Sequence, residues 1–372
     1  MDRISSIAIG VYAVSLLLVQ LPLVLGQLLV RRLTTTTDIT LKRDFILALV
    51  REPRGIPLAA TRAIASPSIQ PDVPASNRFK SIKDTICHPV STPQVKGLWH
   101  FQGPPGKPTK ASACDKVIFF IHGGAYIFGN SQASLVQHLR IAEVLDGHNV
   151  KLAVFGLKYS FAPENQWPKP VNEALAAYRW LTEEEGVDPS NVVLMGESAG
   201  GHLVMSLLYE ISRQQLRRPG HACLMFPWLN LTNRSTSFDR NKHKDLLSQP
   251  NLDWAAEKMV PLSVRDKYAE IVDFNRPVPG ARSLKDVLPT STWISVGSHD
   301  VFVDDIVRFV KRAQNDGARV DLEIEPDLPH GWNAFLDLSS VSGYLSLGPR
   351  DDAKGVLKAA EKIANGLLSI FR

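Results

Sequence analysis

Asn191-Val192-Val193-Leu194-Met195-Gly196-Glu197-Ser198-Ala199-Gly200-Gly201-His202-Leu203 is the stretch that decides the fold. Residues 191–195 are short, apolar and partly β-branched, the signature of a strand. Residues 201–209 can continue as a helix. Between them, Gly-x-Ser-x-Gly makes a strand-to-helix turn of the nucleophile-elbow kind. Such a turn is sharp and requires residues without a Cβ at positions 196 and 200. It leaves Ser198 at a strand tip, beside a helix N-terminus that favours negative charge.

Outward from this turn, strands and helices alternate. Two strands over residues 85–90 and 95–101 precede the apolar run Lys116 to Ile121, which suits a strand buried on both faces. That run ends in His122-Gly123-Gly124-Ala125-Tyr126. A helix over 134–145, a strand over 151–159 and a helix over 171–184 follow, and then the elbow strand. Strands are predicted over 221–228, 291–297 and 320–325, with a helix over 304–314. A closing helix is expected over 351–371, with Val356, Leu357, Ala360, Ile363, Leu367 and Phe371 along one side. The alternation predicts an α/β fold with a mostly parallel central sheet covered by helices on both faces. Residues 229–288 break the rhythm and read as a lid insertion. Its aromatics Trp228, Phe238 and Trp254 fit either a pocket lining or a lid core.

A serine hydroxyl is a weak nucleophile until a base takes its proton, and the base needs a carboxylate to orient it. The chain order Ser, acid, His is met by Ser198, Asp300 and His330, the last two following the strands at 291–297 and 320–325. His299 rivals His330 but precedes the acid. Asp304 and Asp305 rival Asp300 but fall within the next helix, where Asp304 suits a capping role. Gly123 and Gly124 let two backbone N–H groups converge on one oxygen, and the Ala199 N–H supplies a third donor, as an oxyanion hole requires. Glu197 is either an ordinary elbow filler or a residue that tunes the local field.

These residues together resemble the hormone-sensitive-lipase-like branch of the α/β-hydrolases. The matching stretches are His122-Gly123-Gly124, Tyr159 to Glu164, Gly186 to Ser190, the elbow with Gly201, Asp300 to Asp304, and His330-Gly331. The resemblance implies an α/β-hydrolase fold, a Ser198–Asp300–His330 triad and oxyanion donors at Gly123, Gly124 and Ala199. It also implies a lid formed by an N-terminal segment and an insertion, here residues 34–77 and 229–288. Within the branch, the chain is similar to arylacetamide deacetylases and fungal steryl acetyl hydrolases, membrane enzymes of the endoplasmic reticulum with lumenal catalytic domains. It carries Ala125 where many members have a third glycine and Glu197 where many have Asp.

The resemblance to membrane enzymes bears on the N-terminus. No charged residue lies between Ile4 and Val30, and a helix of that length is roughly 40 Å long, enough to span a bilayer with tilt. A cleaved signal peptide and a buried core helix are the rival readings. Arg31 and Arg32 would close the span at the interface. Together with Lys42 and Arg43 they favour a cytosolic catalytic domain, opposite to the face that the resemblance implies. The sequons at Asn230 and Asn233 would matter only in a lumenal domain.

The expected organisation is therefore an anchor over 1–33, a lid or linker over 34–77 punctuated by Pro53, Pro57, Pro67, Pro71 and Pro74, and a catalytic domain over 78–372. A formal net charge of +5 with interspersed signs gives no nucleic-acid footprint. Cys87, Cys114 and Cys223 have no metal spacing and read as buried small hydrophobes, and no metal or organic cofactor is implied. The expected activity is serine ester hydrolysis of short-acyl esters of apolar small molecules or sterols. The alternatives are an acyltransferase or amide hydrolase with the same triad, a non-catalytic binding protein of the same fold, and a membrane scaffold.

Overall fold

The computed structural model describes residues 3–35, 37–51, 58–64, 71–277, 280 and 282–372, with side chains at 3–14, 16 and 17 outside that set. Three helices come first: α1 (Arg3–Thr34), α2 (Leu41–Arg51) and α3 (Leu58–Ile64). Strands β1 (Ile86–Ser91) and β2 (Lys96–Gln102) form a hairpin, followed by β3 (Lys116–Ile121), α4 (Leu135–Asp146), β4 (Leu152–Leu157) and α5 (Lys169–Arg179). The elbow joins β5 (Val192–Glu197) to α6 (Ala199–Arg213), and β6 (His221–Met225) follows. The insertion contributes α7 (Thr236–Asn241), α8 (Gln249–Met259), α9 (Ala269–Val272) and α10 (Leu284–Val287). Then come β7 (Ser291–Gly297), α11 (Val303–Asn315), β8 (Val320–Glu325), α12 (Trp332–Asp337), α13 (Val341–Ser346) and α14 (Lys358–Ile370).

The strands make one eight-stranded sheet in the order β1-β2-β4-β3-β5-β6-β7-β8. Only β1–β2 and β2–β4 pair antiparallel; from β4 across to β8 every pairing is parallel. The predicted mostly parallel sheet is therefore present. Every residue of β4, β6 and β7 is buried, because helices cover both faces and leave no side for polar alternation. Parallel strands place all their C-terminal ends on one edge, and residues 122–124, 198, 300 and 330 follow the ends of β3, β5, β7 and β8.

Two expectations are corrected and an open alternative is decided. First, the closing helix starts at Lys358, not near Asp351. Gly355 adopts a φ of +77°, outside helical space, and the Asp337 carboxylate accepts the Ala359 and Ala360 N–H groups at 2.9 and 3.1 Å, capping α14 from α12. Second, of the two readings open for Trp228 and Phe238, the packing favours core. Trp228 is fully buried, stacks on Phe302 and donates to Asn233 Oδ1, while Phe238 packs edge-on against Phe302. Trp254 is exposed.

Third, the single-pass anchor finds no support: among the described residues, no helix is long and apolar enough to cross a membrane. The second half of α1 is a packing element on one side, with Val24 and Leu28 buried. Arg31 and Arg32 do not end a span at an interface. Both turn to the buried Asp44 carboxylate of α2, Arg32 Nε at 2.8 Å. The other side of α1 presents Leu18, Val19, Leu23, Leu29, Val30 and Leu33 to solvent.

Of the prolines expected to punctuate residues 34–77, Pro53, Pro57 and Pro67 lie outside the described residues. The three cysteines are free, two of them buried. Neither sequon asparagine faces solvent: Asn230 and Asn233 are buried, their amides donating to Asp305 and Asp253.

Candidate active site

Ser198 sits at φ 54° and ψ −119°, a conformation that L-residues avoid at a cost of about 1–3 kcal/mol. Its surroundings hold it there. The Ser198 N–H donates to Met225 O at 3.0 Å, and its carbonyl accepts the N–H groups of His202 and Trp228, both at 3.1 Å. The turn is so tight that a Cβ on Gly200 would lie 2.0 Å from Ile121 O, and one on Gly196 would lie 2.5 Å from Gly200 O. The glycines supply clearance, and the serine itself takes the strained dihedral.

The His122-Gly123-Gly124 loop, the candidate oxyanion loop, abuts this turn. The Ser198 Cβ would stand 3.2 Å from a Cβ placed on Gly123. Gly123 O accepts from His122 Nδ1 at 2.7 Å and from the Tyr159 hydroxyl at 3.4 Å, and Gly124 O accepts the N–H groups of Ile127 and Phe128. Both carbonyls are thus tied down. Among the described residues, no acceptor takes the Gly123, Gly124 or Ala199 N–H. Gly124 has a φ of +109°, and a Cβ there would lie 2.1 Å from Phe128 O. Burial lowers the His122 pKa to about 4, so its ring is neutral and its Nδ1–H acts as a fixed donor. One turn into α6, burial holds His202 at about 4 as well. Its Nε2–H donates to Ile271 O at 2.9 Å, which leaves Nδ1 to accept the Tyr126 hydroxyl at 2.6 Å and brace the loop.

Asp300 and His330 meet at the same sheet edge. His330 Nδ1 donates to Asp300 Oδ2 at 2.8 Å, and Asp300 Oδ1 accepts the Phe302 N–H at 2.8 Å. Asp300 is fully buried and His330 nearly so. The imidazole lies between Phe226, 4.7 Å away, and Phe302, 5.1 Å away and perpendicular. Phe226 directly follows Met225, whose carbonyl holds the Ser198 N–H. Burial disfavours the imidazolium, but the charges of Asp300, Asp245 and Glu197 outweigh it and raise the His330 pKa above its ordinary value. Among the described residues the Ser198 hydroxyl has no hydrogen-bond partner.

The rivals point elsewhere. His299 Nδ1 faces the Arg43 guanidinium at 3.3 Å, and its Nε2 lies 3.6–3.7 Å from Asp327 and Asp38. Asp304 does not cap α11; it pairs with Arg240 and accepts the Thr236 hydroxyl. Asp305 accepts from Asn230 and Arg308. Glu197 has a place: it accepts the Ser134 hydroxyl at 2.9 Å and Asn333 Nδ2 at 3.0 Å, and burial raises its pKa. Asn333, Asn241 and Asp245 were not foreseen, and no local sequence pattern marks them. Among the described residues no group of side chains is arranged to hold a metal. A surface cavity of about 730 Å³ is lined by Arg282, Arg308, Lys311 and Arg312 and includes none of the candidate residues Ser198, Asp300 and His330.

Comparison with known proteins agrees with the fold. Residues 118–334, more than half of the chain, match the alpha/beta hydrolase fold family. An esterase of Acinetobacter venetianus is 28% identical over 268 residues, covering 70% of this chain and 82% of its own. An acetyl-hydrolase of Streptomyces hygroscopicus is 30% identical over 222 residues, covering 59% and 69%. The human arylacetamide deacetylase-like 2 is 25% identical over 298 residues, covering 65% and 72%. A solved hormone-sensitive lipase from a metagenome library superposes with a TM-score of 0.61 at 21% identity, covering 84% of this chain and 94% of its own. The chain belongs to the α/β-hydrolase fold family.

The raised His330 pKa predicts a pH dependence. With His330 as the candidate base its free form is the active one, so kcat/KM for an activated ester should fall on the acid side with an apparent pKa above the ordinary histidine value. Asp300→Asn should lower kcat by about 10⁴-fold and move that limb to lower pH, because an anion next to the imidazolium is lost. A variant profile superimposable on the wild type would break the link between the two residues.

Proposed function

We propose that this carboxylic ester hydrolase removes short acyl groups, acetate foremost, from apolar alcohols, with Ser198 as the nucleophile. The observation that carries the reading is the His330 Nδ1–Asp300 Oδ2 bond of 2.8 Å, formed at the sheet edge where Ser198 is held in its strained conformation. The Asp300 bond fixes the imidazole tautomer that leaves Nε2 free to accept a proton. Ser198 Oγ attacks the acyl carbonyl as His330 takes its proton, and the oxygen that becomes negative is met by the N–H groups of Gly123, Gly124 and Ala199. His330 then returns the proton to the departing alcohol. Water repeats the sequence on the acyl-enzyme and releases the acid.

The short-acyl preference is supported by the names of two relatives, an acetyl-hydrolase and an arylacetamide deacetylase-like protein. Residues 34–77 and 229–288 are proposed as the lid. In its support, Lys244 reaches Asp38 at 2.6 Å and Arg62 of α3 donates to Ile127 O and Ala162 O, so the N-terminal segment borders both the insertion and the oxyanion loop. Sterols and other membrane-dissolved alcohols fit the same proposal, with the protein located at the endoplasmic-reticulum membrane. The charge-free run from Ile4 to Val30 and the exposed leucines of α1 support this localisation.

Two measurements test the reading. In a series of p-nitrophenyl esters, kcat/KM is expected to be highest for acetate or butyrate, and Ser198→Ala should lose essentially all turnover. A marked preference for long chains contradicts the acyl assignment, and an active Ser198→Ala variant contradicts the mechanism. On cell fractionation, the full chain is expected in the membrane pellet. Recovery in the soluble fraction at physiological salt contradicts the localisation.

A further inference from the structure

Asp245 lies in the insertion, between α7 and α8, and is completely buried. Among the described residues its carboxylate makes no hydrogen bond to Ser198 or to the His330 ring. It spends its oxygens on backbone: Oδ1 accepts the His330 N–H at 2.9 Å and the Leu246 N–H at 2.6 Å, and Oδ2 accepts the Val301 N–H at 2.7 Å. His330 and Val301 belong to two different loops, one carrying the base and the other immediately following Asp300. Four residues earlier, the buried Asn241 donates its amide to Ser298 O at 3.1 Å and to Asp300 O at 2.9 Å. The Asp245 carbonyl in turn accepts Arg51 Nη1 of α2 at 2.8 Å.

We propose that Asp245 is a positioning residue for the Asp300–His330 pair: one insertion carboxylate fastens the base loop to the acid loop, so that the lid and the triad are held as a single unit. The inference rests on the ester-hydrolase reading of the site. All three bonding partners of the carboxylate are N–H donors, so the ionised form is the one that satisfies every contact, and an uncharged side chain cannot match it. A bare structural tie between loops would need no charge. Here the charge sits beside the base. Asp245 faces Asp300 and His330 from the sheet edge, and Arg43 and Arg51 from α2; its chain neighbours Lys244 and His243 turn away to Asp38 and Arg31. Burial and the nearby Asp300 push its pKa upward, while His330 and the two loop N–H groups oppose the shift. Asp245 and His330 therefore titrate as a linked pair, each changing the proton affinity of the other.

The test compares kcat/KM for p-nitrophenyl acetate from pH 5 to 9 in the full chain and in Asp245→Asn, with the urea unfolding midpoint of each. The amide of asparagine must set an N–H against one loop N–H and carries no charge. The expected result is a loss of about 10²-fold, falling on kcat more than on KM, because the base is displaced while the binding surface is unchanged. The acid limb should move to lower pH, since one anion stabilising the imidazolium is gone. A variant whose rate and limb coincide with the wild type overturns the proposal, whatever happens to its unfolding midpoint.

If Asp245→Asn does not fold, the wild-type protein supplies the answer through the downfield proton resonance of His330 Nδ1–H. Two titration steps are expected; a single step overturns the linkage. Failure of the ester-hydrolase reading shows separately, as a wild-type protein without turnover or an active Ser198→Ala variant.

Discussion

The site depends on one backbone constraint, the left-handed dihedral of Ser198. A residue held at positive φ gains nothing locally, so the fold must supply the energy that keeps it there. It does so with backbone bonds from two directions, Met225 O on one side and the N–H groups of His202 and Trp228 on the other. It also does so by bringing β3 so near that only glycine fits at position 200. The central place of β5 in the sheet follows from the same demand. A strand paired on both sides is stiff, and a stiff strand followed at once by α6 converts its burial into a fixed position for one hydroxyl.

Electrostatics then divide the buried histidines. His122 and His202 have no carboxylate partner, so burial keeps them neutral and they serve as oriented donors and acceptors behind the oxyanion loop. His330 is just as buried but sits among Asp300, Asp245 and Glu197, and its proton affinity moves the other way. The same side chain in the same low-dielectric surroundings gains or loses proton affinity according to which charges stand beside it. The insertion contributes to that difference, since Asp245 and Asn241 both come from it. The segment that broke the strand–helix rhythm is joined to the chemistry by backbone bonds.

Much of this was legible in the residues. The elbow, the His-Gly-Gly turn, Asp300 and His330 all follow strand ends, and parallel strands deliver their ends to one edge, so chain order alone brought them together. Asp245, Asn333 and Asp337 were not legible, because their partners lie 85, 136 and 22 residues away and nothing local announces such contacts. The closing helix was overextended because the apolar spacing of Val356 and Leu357 fits a helix, whereas Gly355 and the cap from Asp337 start it later. Trp228 was open between pocket and core. Its indole N–H found a buried partner in Asn233, which settles it as core. The apolar N-terminus suggested a span; the structure turns Arg31 and Arg32 inward to Asp44 and leaves one leucine-rich face exposed.

The central claim is that the geometry of residues 122–124, 198, 300 and 330 makes one serine uniquely reactive. Treating the full-length protein with a fluorophosphonate and mapping the adduct by peptide mass spectrometry tests this most directly. A single phosphonyl group on the peptide containing Ser198, formed within minutes at neutral pH and absent from Ser198→Ala, is the predicted result. An unmodified Ser198, or modification spread over several serines at comparable rates, would contradict the account.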